Sequence, residues 1–246
     1  MPVLLPTGTY GATTSAVGNW TRAFTARLVN DARVAFSRIA TDESLPVDWS
    51  GKLGADGNAR FGIPGGQPIP GISGITVGDG LTNIGAAGNL YHTVENKYQV
   101  QTNFALQSGT HLLKFGGQIM RIQQNARYAG LGGALGSFVF SGGYSGSAYG
   151  DFLLDALARK ARGAITGTWG QRHWRNAVFV QDDWKLRRNL TLNLGLRWEY
   201  ISPLYEVADR QLNVDIFTGK LIYPGQSEYG RALYKPYHKQ FMPTIG

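Results

Sequence analysis

The stretch NLTLNLGLRWEY, Asn189 to Tyr200, decides how the rest of the chain is read. Leu190, Leu192, Leu194, Leu196, Trp198 and Tyr200 alternate with Thr191, Asn193, Gly195, Arg197 and Glu199. A period of two over a full strand length means an extended strand with one wet and one dry face. The dry face must meet a protein core or lipid, and composition bears on which. The 246 residues include 34 glycines, 12% aromatics and only 16% charged residues. Aromatics favour strands and glycine serves the turns between them. A charged fraction well below the usual quarter is uncommon in a soluble domain. Yet no run of about 18 apolar residues exists that could cross a bilayer as a helix. Low charge without long apolar runs suits a lipid-facing barrel, where apolar and polar residues alternate and average out.

Spacing of the other alternating segments extends the pattern. NWTRAFTARL (19–28) pairs with ARVAFSRIA (32–40) through a join around Val29 to Asp31. NKYQVQTNFAL (96–106) pairs with HLLKFGGQIMRIQ (111–123) through Gln107 to Thr110. HWRNAVFVQDDWKL (173–186) pairs with the opening stretch through Arg187 and Arg188. These joins are short and polar, as hairpins require. Between the pairs lie long glycine-rich segments, 41–94, 127–172 and the region after Tyr200, the last holding a small hairpin at DIFTGKLIY (215–223). Loops of that length are uncommon in compact soluble domains. Tight turns alternating with long loops are the rhythm of a membrane barrel.

The expected fold is therefore all-β: an antiparallel transmembrane β-barrel, partial, of about seven strands, with long extracellular loops. Residues 1–18 read as a loop segment and 19–246 as the barrel domain. Tight turns at Asn30, Ser108 and Arg188 would face the periplasm. That assignment puts Trp20, Trp174 and Trp198 at the outer rim and Trp184 at the inner rim, as an aromatic girdle. Leu190, Leu192, Leu194 and Leu196 would face lipid. Asp182 and Asp183 are adjacent, so one of them must point to the lipid side, at interface depth where the cost is small. Arg121 falls on the apolar face at the outer end, where it can snorkel. Arg197 and Glu199 share the wet face.

Other chemistry is sought without success. There is no cysteine, hence no disulfide or thiolate site. The net charge of +8 is scattered, and RKAR (159–162) lacks the register of a nucleic-acid reader, so no nucleic acid is expected. His92 and Glu95 are spaced for a metal only on a helix, in surroundings that read as loop and strand. GADGNARFG (54–62) has too few ligands for calcium. GGYSGSAYG (142–150) fails the nucleophile-elbow spacing, and GLGGALG (130–136) lacks a dinucleotide frame. No metal, cofactor or catalytic residue is nominated, and the chain reads as a non-enzyme. AYGDFLLDALARKARG (148–163) is the one expected helix.

The segment FVQDDWKLRRNLTLNLGLRWEY (179–200) resembles the barrel of a TonB-dependent outer-membrane receptor of the Oar-like type. GTHLLKFGGQIMR (109–121), GSFVFSGGYSGSAYGDFLLDAL (136–157), DIFTGKLIYPG (215–225) and FMPTIG (241–246) are similar to further segments of that barrel, and the resemblance is strongest from residue 95 onward. Thr244 stands where the family usually has arginine. The resemblance implies the bacterial outer membrane, with its lipid as surroundings, and uptake of a small solute or oligosaccharide. It also implies coupling to a TonB-type partner through a plug. No signal peptide, TonB box, plug or terminal aromatic strand is recognisable, so the chain is expected to be an internal piece of a barrel of about 22 strands. The expected ligand contacts are loop aromatics: Trp49, Tyr128, Tyr144, Tyr149 and Trp169. Two other functions fit the same residues. One is a structural or adhesive barrel without transport. The other is a soluble carbohydrate-binding β-sandwich, which would bury the dry faces against a second sheet.

Overall fold

The computed structural model describes residues 7–46, 56–130 and 132–246. In chain order the elements are β1 (Thr7–Ala23), β2 (Leu28–Pro46), α1 (Gly57–Arg60), β3 (Gly74–Val77), β4 (Tyr91–Ser108) and β5 (His111–Arg127). They continue with β6 (Ser137–Phe140), α2 (Ala148–Leu153), β7 (Arg159–Ala161), β8 (Trp169–Arg187) and β9 (Leu190–Ile201). Four short strands follow: β10 (Tyr205–Glu206), β11 (Asn213–Val214), β12 (Leu221–Ile222) and β13 (Gln240–Ile245). The main sheet has the order β1-β2-β4-β5-β8-β9-β13, with β10 paired to β8. It is antiparallel, and each long strand lies beside its sequence neighbour in the sheet. β1, β2, β4, β5 and β8 are 17, 19, 18, 17 and 19 residues long. At about 3.3 Å per residue each runs roughly 55–65 Å, well beyond the 9–11 residues that span a bilayer.

The chain falls into two compact units. The wall unit comprises residues 13–39, 95–125 and 169–246. β8 and β9 pair from Arg175↔Ile201 to Arg187↔Leu190, with one irregularity between Lys185 and Arg187. β13 then adds to β9 from Gln240↔Glu199 to Ile245↔Leu194. β11 and β12 form a separate hairpin with Val214 opposite Leu221, placing strands on both sides of the FTG turn as the sequence suggests.

The loop unit comprises the described parts of residues 1–12, 40–94 and 126–168. Its centre is a small sheet in which β3 runs parallel to β6 and β7 antiparallel to β6. Val77, Phe140 and Ala148 form its buried core, with Phe138, Phe152 and Leu157 packed around them. Asn58 is buried and ties three segments together. Its Oδ1 accepts from Ser73 N at 2.8 Å, and its Nδ2 donates to Leu135 O at 3.2 Å.

Three sequence expectations need correction. Residues 7–18 lie in β1 and are not a loop; Ala12, Thr14, Ala16 and Gly18 alternate with residues as small, so the contrast between faces is too weak to read. The first tight turn is Phe24–Arg27 and not Val29–Asp31. Thr25 Oγ1 accepts from the backbone N of Arg27 at 3.1 Å and of Leu28 at 3.0 Å, closing the turn. Asn30 sits inside β2 because its amide is taken by β4, donating to Thr102 Oγ1 at 2.6 Å and Asn103 O at 3.0 Å. The helix ends at Leu153, where Asp155 adopts a positive φ of 54°. Arg159–Ala161 becomes a strand because β6 offers it a pairing edge.

Candidate functional site

The wall presents two chemically distinct faces. Directly opposite residues of paired strands share a face, so Val178 with Trp198, Val180 with Leu196 and Phe241 with Trp198 lie together. This apolar face is open: Val34 is 56% exposed, Val100 57%, Ile119 56% and Val178 53%. Leu190, Leu194 and Leu196 are exposed on it and Leu192 is half-buried. A sandwich would bury these side chains, so that reading fails. The opposite face is polar. Lys114 Nζ meets Asp183 Oδ2 at 2.7 Å, Gln99 Nε2 donates to Gln101 at 2.8 Å, and Arg197 Nε meets Glu199 at 2.6 Å. Gly116 admits the Phe179 ring there, since a Cβ would lie 3.0 Å from Phe179 Cε1.

Of the four rim tryptophans, Trp20 alone does not fall where the sequence reading put it. Trp20 lies three residues before the end of β1, at the tight-turn end. It packs edge-on to Phe24, and the displaced turn is the reason for its new level. Trp184 occupies the same end of β8 and stacks on His111 with ring centres 5.1 Å apart. Trp174 and Trp198 remain toward the other end; Trp198 Nε1 donates to His238 O at 2.8 Å. The adjacent aspartates divide between faces as alternation demands. Asp183 takes Lys114 on the polar face, and Asp182 takes His111 Nδ1 at 2.7 Å on the apolar one.

The loop aromatics do not converge. Trp49 lies outside the described residues. In the loop unit, Tyr128 meets Tyr91 edge-on at 5.6 Å. Tyr149 stacks on Phe152 at 6.4 Å, and nearby in sequence Tyr144 is 74% exposed. Their turn is held by buried Asp151, whose carboxylate accepts the N–H groups of Ser145 at 2.7 Å and Tyr144 at 3.3 Å. Burial would raise its pKa, but the Ser145 hydroxyl and the N–H groups of the turn together hold it below the ordinary value. Trp169 belongs to the wall unit, with the Arg210 guanidinium over its ring at 5.5 Å.

Arg210 and Trp169 are part of a denser site that sequence reasoning missed. After Ile201 the strand is interrupted at Ser202–Leu204 and resumes as β10, with Tyr205 opposite Arg172 and Glu206 opposite Gln171. Glu206 is completely buried. Its Oε1 accepts Gly170 N at 2.9 Å and Arg210 Nη2 at 2.8 Å, and its Oε2 accepts Ala208 N at 2.8 Å. Burial would raise its pKa, but Arg210 and these N–H donors outweigh it and lower the value to about 2. Arg121 donates Nη2 to the Tyr205 hydroxyl at 2.8 Å, with its guanidinium 4.7 Å from the Trp174 ring centre. The Arg231 guanidinium lies over the Tyr205 ring at 4.8 Å while its Nε meets Asp209 at 2.7 Å. Arginine stacked on rings keeps its charge and presents planar N–H donors of the kind that match carboxylate or phosphate groups. The available signal was alternation resuming at YEV (205–207) after Ser202–Pro203, which is too short to be read unaided.

Among the described residues no group of three or more His, Asp or Glu side chains is placed to hold a metal. His92 instead pairs with Asp42 at 2.6 Å.

No curated protein matches the chain. A family model described as an outer membrane beta barrel domain matches residues 3–246. A two-faced antiparallel wall with an open apolar side is what that description requires, and the chain belongs to the outer membrane beta barrel domain family, a resident of the bacterial outer membrane.

Proposed function

We propose that the chain is part of the wall of a TonB-dependent receptor that takes up a small solute or oligosaccharide. The observation carrying this reading is the open sheet, which ends at β1 on one side and β13 on the other. Unpaired strand edges are not tolerated in lipid, so such a wall closes only with further strands. Its tall strands suit a large barrel. The spacing of tryptophans fits the same picture. Trp174 and Trp184 are ten residues apart on β8, about 33 Å along the strand, or about 25 Å along the normal at a 40° tilt. That is the height of the apolar band between aromatic girdles. Leu190, Leu192, Leu194 and Leu196 then face lipid, and Trp20, Trp174, Trp184 and Trp198 mark the interfaces. The exposed loop aromatics Tyr144 and Tyr149 are the ligand contacts this reading favours in the loop unit, with Trp169 in the wall unit.

Reading the DNA on both sides of the frame tests the proposal. An in-frame plug with a TonB-contacting segment upstream, and further strands downstream, is the expected result. Stop codons immediately on both sides would remove the transport assignment. A continuous frame with strands but no plug would favour a structural or adhesive barrel instead.

A further inference from the structure

We infer that the apolar face of the wall carries a specific site for one phosphorylated glycolipid of the outer leaflet, with Arg121 and Arg172 holding the phosphate above a groove for an acyl chain. The inference rests on the reading that this face meets lipid. Arg121 shares a strand face with Phe115 and Ile119, both exposed, and it stacks on Trp174, which alternation places with Val178 and Val180. Arg172 lies opposite Tyr205, the residue that Arg121 contacts. The two arginines are thus brought to the same end of the apolar face through one tyrosine.

Their charges are not cancelled locally. Arg231 is paired with Asp209, and Arg210 with Glu206. Among the described residues no carboxylate lies within ion-pair distance of Arg121 or Arg172. Arg172 donates to carbonyl groups, Gln124 O at 3.1 Å, Gln171 O at 2.8 Å and Asn125 Oδ1 at 2.9 Å. Those bonds fix its orientation and leave its charge in place. Arg121 uses one N–H on the Tyr205 hydroxyl, and among the described residues the others of its five have no partner. Two guanidinium groups with spare donors at one end of the face supply the planar N–H donors that a phosphate takes. A cation held at this depth on a lipid-contacting surface, with a tyrosine hydroxyl and two aromatic rings but no carboxylate as described partners, is stabilised by an anionic headgroup.

The second half of the site lies toward the tight-turn end on the same face. Val178, Val180, Leu196, Trp198 and Phe241 line an open apolar groove of about 480 Å³. Trp174 and Val178 are four residues apart on β8, about 13 Å, with Asn176 between them on that face. A headgroup phosphate at Arg121 therefore has an acyl-sized groove within the reach of its own chains. A free phosphate would use only the first half; the groove is what commits the site to a lipid.

The test uses the closed barrel to which this wall belongs, folded in detergent, with bis-phosphorylated lipid A as probe and bound lipid counted by native mass spectrometry. One lipid per chain is expected to be retained. Enzymatically dephosphorylated lipid A should bind the wild-type chain at least about tenfold more weakly, the value of one or two charge-assisted hydrogen bonds. The pair Arg121→Gln and Arg172→Gln should lose affinity for the phosphorylated probe to a similar extent, and Arg121→Lys should fall between. Equal affinity for the two lipids overturns the inference without any variant. So does displacement of the lipid by millimolar inorganic phosphate alone, which would assign the arginines to a free anion. A folded variant is recognised by its heat-dependent gel mobility. If the barrel proves folded and soluble without detergent, the lipid-facing reading itself is lost, an outcome distinct from a folded wall that ignores phosphate.

Discussion

His111 Nδ1 lies 2.7 Å from Asp182 Oδ2 across the neighbouring strands β5 and β8, and the indole of Trp184 stacks on the same imidazole. The pair explains how a carboxylate is kept on the apolar face. Adjacent acids in a strand must point to opposite sides, and here each side supplies its own base: His111 on one face, Lys114 on the other.

Removing only one partner should therefore cost more than removing both. His111→Leu leaves the Asp182 carboxyl without a donor, and a destabilisation of about 1–3 kcal/mol is expected. The double variant His111→Leu with Asp182→Leu should recover much of that loss, because two apolar groups replace a satisfied polar pair. Urea titration of the folded wall in detergent measures both. A double variant no better than the single one would contradict the pairing.

Glu206 makes a prediction about acid. Its pKa is lowered from 4.5 to about 2. A depressed carboxyl contributes stability that is complete above its unfolded value and lost as pH falls through the folded one. The attachment of β10 to β8 should thus weaken between about pH 4.5 and pH 2. Hydrogen exchange at the Gly170 and Ala208 amides, both donors to this carboxylate, reports it. Glu206→Gln should show faster exchange at neutral pH and no further acid step in that window.

Neighbouring residues of β8 test the two faces. Val180 is 49% exposed on the apolar face, opposite Leu196, and Gln181 points to the polar side, donating to Asp183 at 2.8 Å. Val180→Arg is expected to lower stability in bilayers by about 2–4 kcal/mol, the cost of arginine near the midplane. Gln181→Arg should change it far less. Refolding into vesicles, followed by denaturant titration, distinguishes them; equal penalties would mean that the apolar face does not meet lipid.

The loop unit has its own weak point at Gly133. Its φ is +66°, and a Cβ there would overlap the Ala87 carbonyl, which is already the acceptor for Leu135 N at 2.9 Å. Gly133→Val combines left-handed strain with a backbone clash and should cost about 2 kcal/mol or more. Limited proteolysis should cut residues 126–168 sooner in this variant while the wall strands stay protected. An unchanged cleavage rate would refute the packing described for this loop.

Alternation alone was enough to identify the wall. From Tyr98 to Leu106, Leu113 to Ile119 and Leu190 to Trp198, large apolar residues recur at alternate positions, broken by Thr102 and Gly117, and a strand has no other way to sort its two faces. The turn at Gly109 was equally legible, because few residues besides glycine favour its positive φ of 59°. The part of β1 before Asn19 was not legible, since small residues on both sides carry no contrast. The turn at Phe24–Arg27 was missed because Asn30 has the composition of a turn residue and only its bonds to Thr102 and Asn103 keep it in a strand.

The sequence by itself thus determined the class of the protein: long antiparallel strands with one apolar face, joined by short turns at one end and long loops at the other. That information is local, because each residue's side of the sheet follows from its neighbours' spacing. Only the tertiary structure decided the register of the first hairpin, the level of Trp20, and the gathering of Arg121, Arg172, Trp174, Tyr205 and Arg231 into one platform. The platform depends on partners between 26 and 84 positions away in the chain (Tyr205 to Arg231, and Arg121 to Tyr205). Side chains so far apart are brought together by strand pairing, and no periodicity in the sequence records which of them will meet.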